Sequence, residues 1–522
     1  MKDAALGIEF GSTRIKAVMT DKSGKIVAEG SHTWENELID EDGRKIWSYS
    51  LDAIRNGLQD CYRDLKNDYK SRFGETLTTV GAIGISAMMH GYMAFDSEGS
   101  LLVPFRTWRN TITEEAADKL TDAFGFNIPQ RWSIAHFYQA ILRNEPHIPS
   151  VTHFTTLAGF IHEKLTGEKV LGIGDASGMF PISGSDYDPV MIAKFNELTG
   201  KDLKALLPRV LSAGDNAGTL TSEGALFLDP EGDLVPGIPM CPPEGDAGTG
   251  MAATNSIAVR TGNVSAGTSV FAMIVMEKPL SKVHKEIDIV TTPDGSPVAM
   301  VHCNNCTSEI NAWAGFLKGF ADAVGADVDM GTIYTAFFSS ALKGQPDCDG
   351  VIGFNYFSGE PVTGLSEGRP LLVRKPDSAM TFENFTRSQL MSAVATLKIG
   401  MDILGEENVA VDKMYGHGGF FKTPVAGQKI MAAALGAPVT VMETAGEGGP
   451  WGMSLLGLYL LAKSEDGFTG SLSDFLNGKI FADCKSSTSD ADASDKEGFA
   501  SYLASYKDAL DIERIAVEKI SL

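Results

Sequence analysis

Two short stretches of the chain are built alike, and together they limit what it can fold into. Residues 6–13 read Leu-Gly-Ile-Glu-Phe-Gly-Ser-Thr, and residues 264–269 read Val-Ser-Ala-Gly-Thr-Ser. Each joins two strand-like runs through a glycine followed by hydroxyl residues. Glycine lets the backbone come close to an anion, and the exposed N–H and hydroxyl groups of such a turn donate hydrogen bonds to its oxygens. A single Gly-Ser-Thr reads as an ordinary hairpin loop. Its recurrence near the start of each half predicts two related lobes that close on a phosphorylated ligand.

Length agrees with two lobes. The chain has 522 residues, 43% of them hydrophobic, whereas a single core stops growing at roughly 250 to 300 residues. The division is expected between residues 1–255 and 256–522. Lys plus Arg number 44 against 67 Asp plus Glu, a net charge of -23. That balance argues against a surface built to neutralise nucleic-acid phosphates, so a bound nucleotide must be held by local donors. Residues 1–10 lack a signal-peptide profile, and no apolar run reaches the roughly 18 residues of a membrane helix. A soluble cytoplasmic protein with no membrane partner is expected.

Six cysteines make no disulfide framework in a chain of this length. Cys303 and Cys306 form a Cys-x-x-Cys beside His302, which invites a zinc or redox reading. Structural zinc takes four ligands, however, and no second pair stands at a matching spacing. The preferred reading is small buried residues where a strand at 298–302 hands over to a helix.

The first lobe opens as a meander, with strands expected at 6–10, 15–20 and 26–30, then a helix at 51–69 and a buried strand at 80–86. The second repeats that order, with strands at 257–260, 262–266 and 270–276, further strands to residue 302 and a helix from about Ser308. This α/β order differs from the alternating pattern of a doubly wound dinucleotide fold. Thr386-Arg387-Ser388-Gln389 reads as a capping box opening a helix whose stripe is Leu390, Val394, Leu397, Met401 and Leu404, with Gly405 as its stop. After a strand at 413–415, Gly416-His417-Gly418-Gly419 is a glycine loop, and Thr423-Pro424 suits the N-cap and first residue of a helix. That order sets backbone donors and a helix N-terminus beside a flat or anionic ligand. A strand at 438–442, a glycine loop at 446–449 and a helix around 453–461 follow. The Ser/Asp-rich stretch 486–496 reads as a mobile surface loop, and 500–520 as a final helix.

Phosphoryl transfer needs a base near the attacking hydroxyl. Asp246 is the candidate, because it follows a strand end and Pro242-Pro243-Glu244-Gly245 and begins a small-residue helix start. It also suits a plain N-cap, and both roles can hold together, since the helix dipole keeps a carboxylate ionised. Asp215 in Gly214-Asp215-Asn216 resembles the same motif by letters, but no small-residue helix follows, so it is read as a turn. Glu9 sits inside an apolar strand just before the first glycine turn and needs a partner, a cation or water; beside a nucleotide it would face magnesium or its water shell. The competing reading is a sheet-edge carboxylate pointing to solvent. Met89, His90 and Gly91 stand at a strand end, a placement that fits recognition of a hydroxylated small molecule, although a lone His is more often structural. Trp108, Arg109 and Asn110 add an aromatic wall with amide and guanidinium donors.

Taken together, residues 7–13, Met89-His90-Gly91, Trp108, Gly245-Asp246, Gly267-Thr268-Ser269, Ser358-Gly359-Glu360 and Gly418-Gly419 resemble the FGGY carbohydrate kinases, among them most closely the xylulokinases. The resemblance implies two actin-like (ribonuclease H-like) ATPase domains with a cleft between them. It implies a sugar bound mainly to the first domain at Met89 and His90, with Gly91, Trp108 and Asn110 as further substrate-side candidates. ATP would lie mainly on the second, with Gly11, Ser12, Thr13, Gly267, Thr268 and Ser269 facing phosphates and Gly418 and Gly419 against adenosine. Asp246 would be the catalytic base, and magnesium would accompany ATP. The sequence departs from the family pattern at Glu9 (usually Asp), Ala247 (often Asn), Arg109-Asn110 (usually Asn-Asp) and Pro361 (usually Arg).

The expected activity is ATP-dependent phosphorylation of a ketopentose at its terminal hydroxyl, D-xylulose first and L-ribulose next, by a protein that could act as a homodimer. Two other readings stand beside it. The departures motivate a sugar- or nucleotide-binding regulator that has lost catalysis, against which stand Asp246 and the glycine turns. An actin-like or chaperone-like ATPase is disfavoured by Met89, His90 and Trp108, which such a protein does not need.

Overall fold

The computed structural model describes residues 2–41 and 43–520. Contacts divide the chain into two compact units, one of residues 1–257, 288–298 and 447–483, the other of 258–287, 299–446 and 484–522. The second unit is not one continuous stretch of chain, and residues 447–483 belong to the first. Helix Gly448–Ser464 is buried along nearly its whole length within the first unit. Gly7 makes that packing feasible, because a Cβ there would lie 2.1 Å from the carbonyl oxygen of Pro450.

The sheet of the first unit has five strands. Strands β1 (Ala5–Phe10), β2 (Arg14–Thr20) and β3 (Ile26–Thr33) form the antiparallel meander. Strand β4 (Ala82–Ala87) lies parallel to β1, and β5 (Glu244–Gly245) lies parallel to β4. Every residue of β4 is buried, as expected of a parallel strand covered on both faces. Helix Leu51–Phe73 buries Ile54, Leu58, Cys61 and Leu65 along one face; Ser50 caps its start, and left-handed Gly74 ends it.

In the second unit the strands β6 (Thr261–Ala266), β7 (Val270–Val275), β8 (Pro297–Cys303), β9 (Lys413–His417), β10 (Val439–Met442) and β11 (Ser486–Ser489) run in the order β8-β7-β6-β9-β10-β11. Strands β6 and β7 are antiparallel, and β9 lies parallel to β6 with β10 parallel to β9. Strands β6, β9 and β10 therefore repeat the roles of β1, β4 and β5.

Several local expectations are corrected. Residues 257–260 form no strand, and Arg260 adopts φ 65°. The helix carrying the stripe from Leu390 to Leu404 spans Phe382–Glu406, so Thr386 and Gln389 lie buried inside it and Gly405 does not stop it. Thr381, which accepts from the N–H of Asn384 at 3.2 Å, supplies the cap. The next helix is Ala426–Leu435 with Val425 at its N-cap, not Thr423. The stretch expected as a loop forms β11 and opens helix Ala493–Asp508, because its hydroxyls and backbone find partners: Thr440 and Thr488 hydroxyls meet at 2.8 Å, and Gln428 donates to the Ser487 carbonyl at 2.7 Å. The final helix is two, Ala493–Asp508 and Leu510–Lys519. Among the described residues no helix is long and apolar enough to cross a membrane.

Candidate active site

Register brings the first unit's candidate residues together. Phe10 stands opposite Ala87, and Ala87 opposite Gly245. The carboxyl ends of three parallel strands therefore meet, where an open α/β sheet presents its ligands. The Met88 N–H donates to the Phe10 carbonyl at 2.9 Å, and the Met89 N–H donates to Asp246 Oδ1 at 3.2 Å.

Asp246 is the first residue of helix Asp246–Ala253, and its N-cap is Gly245. The plain N-cap reading of Asp246 is thus corrected, which leaves its carboxylate free of capping. Gly245 is required here, since a Cβ would lie 2.1 Å from Met89 Cγ. Asp246 keeps exposed surface yet stands among many protein atoms. That crowding pushes its carboxyl above the usual range, opposed by the N–H groups of Met89 and Ala247 and by the Arg131 charge.

His90 is buried at φ 70° and stacks on Trp132 at 6.1 Å. Its Nδ1 is 2.9 Å from the Gly178 carbonyl, which can only accept. Nδ1 therefore carries the proton, and Nε2 keeps a lone pair. Burial holds the ring neutral by lowering its pKa to about 3. Gly91, at φ 83°, serves packing: a Cβ would meet Phe105 at 2.8 Å and the Arg106 carbonyl at 2.9 Å.

Glu9 is not a solvent-facing edge carboxylate. Its Oε2 lies 1.5 Å from where a Cβ on Gly449 would sit, at the start of helix Gly448–Ser464. Burial first, then the Asp246 charge, raise its pKa to about 8, against the pull of Lys16. A pair of mutually repelling acids is a donor set that fits a divalent cation.

The first glycine turn is tied back by aromatic donors. Trp34 Nε1 donates to the Gly11 carbonyl at 2.7 Å and the Tyr49 hydroxyl to the Ser12 carbonyl at 2.6 Å. Thr13 stays exposed, and Trp108 Nε1 donates to Ser12 Oγ at 3.3 Å. Asn110 is placed otherwise than expected. Its amide is consumed inside the protein, accepting from the Trp47 N–H at 2.8 Å and donating to the Trp47 and Thr107 carbonyls at 2.8 and 3.0 Å.

Three groups escaped sequence reasoning. Arg131 pairs with Asp288, and the Asp246 charge acts on it against a burial effect that lowers its pKa to about 10. Its only local signal is a cation beside Trp132, and its partner is 157 residues away. Asp175 and Glu244 are both buried, Glu244 in β5 just before Asp246. Glu244 accepts from the N–H groups of Gly174 and Asp175 at 3.3 and 3.0 Å, and Asp175 accepts from Thr156 Oγ1 at 2.6 Å. Burial raises their pKa values to about 8 and about 7.

In the second unit, the 267–269 turn follows β6 and the Gly418-Gly419 loop follows its parallel neighbour β9. A Cβ on Gly418, at φ 100°, would lie 2.5 Å from the Ala266 carbonyl, so the loop rests directly against the end of β6. Thr268, Gly418 and Gly419 are exposed. Cys303 and Cys306 are buried free thiols, and among the described residues no group of three or more metal-ligating side chains is present. Asp215 lies in a turn, holding the Ser212 N–H at 2.9 Å.

Residues 4–240 match the N-terminal domain, and residues 262–461 the C-terminal domain, of the FGGY family of carbohydrate kinases. The chain is 23% identical over 475 residues to a xylulose kinase of Haemophilus influenzae, covering 85% of this chain and 91% of that protein. It is 27% identical over 267 residues to an L-fuculokinase of Salmonella typhi, covering 47% and 51%. Among solved structures, a xylulose kinase from Rhodospirillum rubrum superposes with a TM-score of 0.76 at 16% identity over 98% of this chain and 99% of that one. The α/β fold is accordingly that of two actin-like, ribonuclease H-like ATPase domains. The chain belongs to the FGGY family of carbohydrate kinases.

Proposed function

We propose that this carbohydrate kinase transfers the γ-phosphoryl group of ATP to the terminal hydroxyl of a ketopentose, D-xylulose first and L-ribulose next, with Asp246 as general base. The observation that carries this reading is the convergence of Asp246, Met89 and His90 at the ends of β5 and β4, fastened by the Met89 N–H to Asp246 bond at 3.2 Å. The xylulose kinase relative spans most of the chain, which supports the ketopentose over the sugar of the fuculokinase relative.

In this mechanism His90 Nε2 accepts from a substrate hydroxyl, Met89 and Trp108 supply apolar contact, and Arg131 donates to a sugar oxygen. Asp246 takes the proton of the attacking hydroxyl as its oxygen bonds to the γ-phosphorus and the bond to ADP breaks. N–H and hydroxyl groups at 11–13 and 267–269 stabilise charge on the phosphoryl oxygens, and Gly418 and Gly419 lie against adenosine. Glu9 would hold magnesium through its water shell, and the ion would supply positive charge to the bound phosphates. Asn110 is left out, because its amide has no group to spare.

The test is ADP release with magnesium and ATP across ketoses, aldoses, aldonates and polyols. The highest kcat/KM with D-xylulose supports the reading. Preference for a deoxyhexulose or an aldonate rejects the assigned sugar, and tight sugar binding without turnover favours the regulator.

A further inference from the structure

Glu360 is wholly buried and takes no part in the chemistry above. Its Oε2 accepts from the Asn304 N–H at 2.9 Å, the Asn305 N–H at 3.3 Å and Asn305 Nδ2 at 3.1 Å. The other end of the Asn305 amide is also committed, since Oδ1 accepts from the N–H groups of Phe357 and Ser358 at 2.9 and 3.0 Å. One carboxyl thus fastens residues 304 and 305, which lead straight into Cys306 and Thr307.

Those next two residues grip the glycine turn from behind. The Cys306 N–H donates to the Thr268 carbonyl at 2.9 Å, and Thr307 donates to the Gly267 carbonyl through its N–H at 3.0 Å and its hydroxyl at 2.8 Å. Asn355 in turn holds the Cys306 carbonyl at 3.1 Å. Every link joins residues of the second unit. A peptide whose carbonyl is held on one side keeps its N–H turned to the other, whereas a flipped peptide would present oxygen to an incoming anion. Residues 304–307 therefore serve as a short brace, with Asn305, Cys306 and Thr307 buried.

We propose that Glu360 is a positioning residue for the triphosphate, acting through Asn305, Cys306 and Thr307 to hold the Gly267 and Thr268 carbonyls back from the phosphates. The inference rests on the proposed reading of the 267–269 turn as phosphate-facing.

The test is calorimetric ADP affinity together with KM and kcat for ATP in Glu360→Ala, Glu360→Gln, Thr307→Val and the Glu360→Ala/Thr307→Val double variant. Glu360→Ala is expected to weaken ADP and raise KM for ATP about tenfold, and Thr307→Val about threefold, the scale of lost buried hydrogen bonds. Sugar KM stays unchanged, Glu360→Gln recovers most of the loss because its amide oxygen still accepts, and the double variant is no worse than Glu360→Ala because both act through one chain. Normal ADP affinity in folded Glu360→Ala, or losses that multiply in the double variant, would overturn the proposal. Should Glu360→Ala not fold, normal ADP affinity in Thr307→Val overturns it as well. Gly267→Val separates this from the underlying reading. A Cβ there meets nothing within 4 Å, so the variant folds while crowding a phosphate. Normal ADP affinity in Gly267→Val removes the turn from the site and this inference with it. A loss in Gly267→Val alone overturns only the role of Glu360.

Discussion

Met89 and Asp246 stand 157 positions apart in the chain, and the N–H of the first donates to Oδ1 of the second at 3.2 Å. The bond orients one carboxylate oxygen toward the end of β4. It also lies directly beside Gly245, whose missing side chain gives Met89 its place.

Gly245→Ala is therefore expected to displace Met89. Overpacking of this kind costs about 1 to 3 kcal/mol, and the displaced Met89 N–H no longer orients Asp246. Urea unfolding should show the stability loss, and steady-state kinetics a fall in kcat with a rise in sugar KM. Wild-type kinetics in this variant would separate Met89 from the chemistry.

His90→Phe removes the lone pair on Nε2 while preserving the stack on Trp132. Loss of one hydrogen bond to a substrate hydroxyl corresponds to roughly a tenfold rise in sugar KM, with KM for ATP unchanged. Because burial lowers the His90 pKa to about 3, the ring stays neutral from pH 5 to 8, so its contribution to sugar KM should be flat across that range. A sugar KM that titrates near pH 6.5 and loses that titration in His90→Phe would contradict the neutral-ring assignment.

Stability should fall with pH on account of Glu244 and Asp175. Burial raises their folded pKa values from 4.5 and 3.8 to about 8 and about 7. Between those limits the folded protein holds protons that the unfolded chain has released, so folding weakens as pH rises. Their contribution is complete below the ordinary carboxylate range and lost on passing pH 7 to 8. Thermal unfolding should show a smaller decline across this window in Glu244→Gln than in the wild type. An identical decline in both would remove Glu244 as a cause.

Asn110→Ala should act on the fold, since the amide bridges Trp47 and Thr107. About 1 to 3 kcal/mol of stability is the scale for stranding its buried partners, with sugar KM little changed. A large rise in sugar KM at unaltered stability would return Asn110 to the binding site.

Much of this was legible in the chain. The paired glycine turns, the order of strands around them and the placement of Asp246 and His90 follow from local chemistry that residue types express directly. What escaped depends on distant partners. Arg131 meets Asp288, and Glu244 meets Gly174, only through tertiary packing. Nothing local marks residues 447–483 as part of the first unit. The capping box at Thr386 misled because Thr381 offers the same hydroxyl one turn earlier, ahead of a helix buried on nearly every side. Residues 486–489 looked too polar to order, yet an edge strand needs only backbone partners and the Thr440 to Thr488 contact.

The most direct test is sugar-dependent ADP release by Asp246→Asn, compared with the wild type at saturating ATP, magnesium and sugar. Asparagine keeps an oxygen to accept from the Met89 N–H but cannot take the hydroxyl proton. The account predicts a fall in kcat on the order of 10³-fold, within the range for a lost general base, with sugar KM within a few-fold of normal. A variant that retains more than about a tenth of wild-type kcat would contradict it.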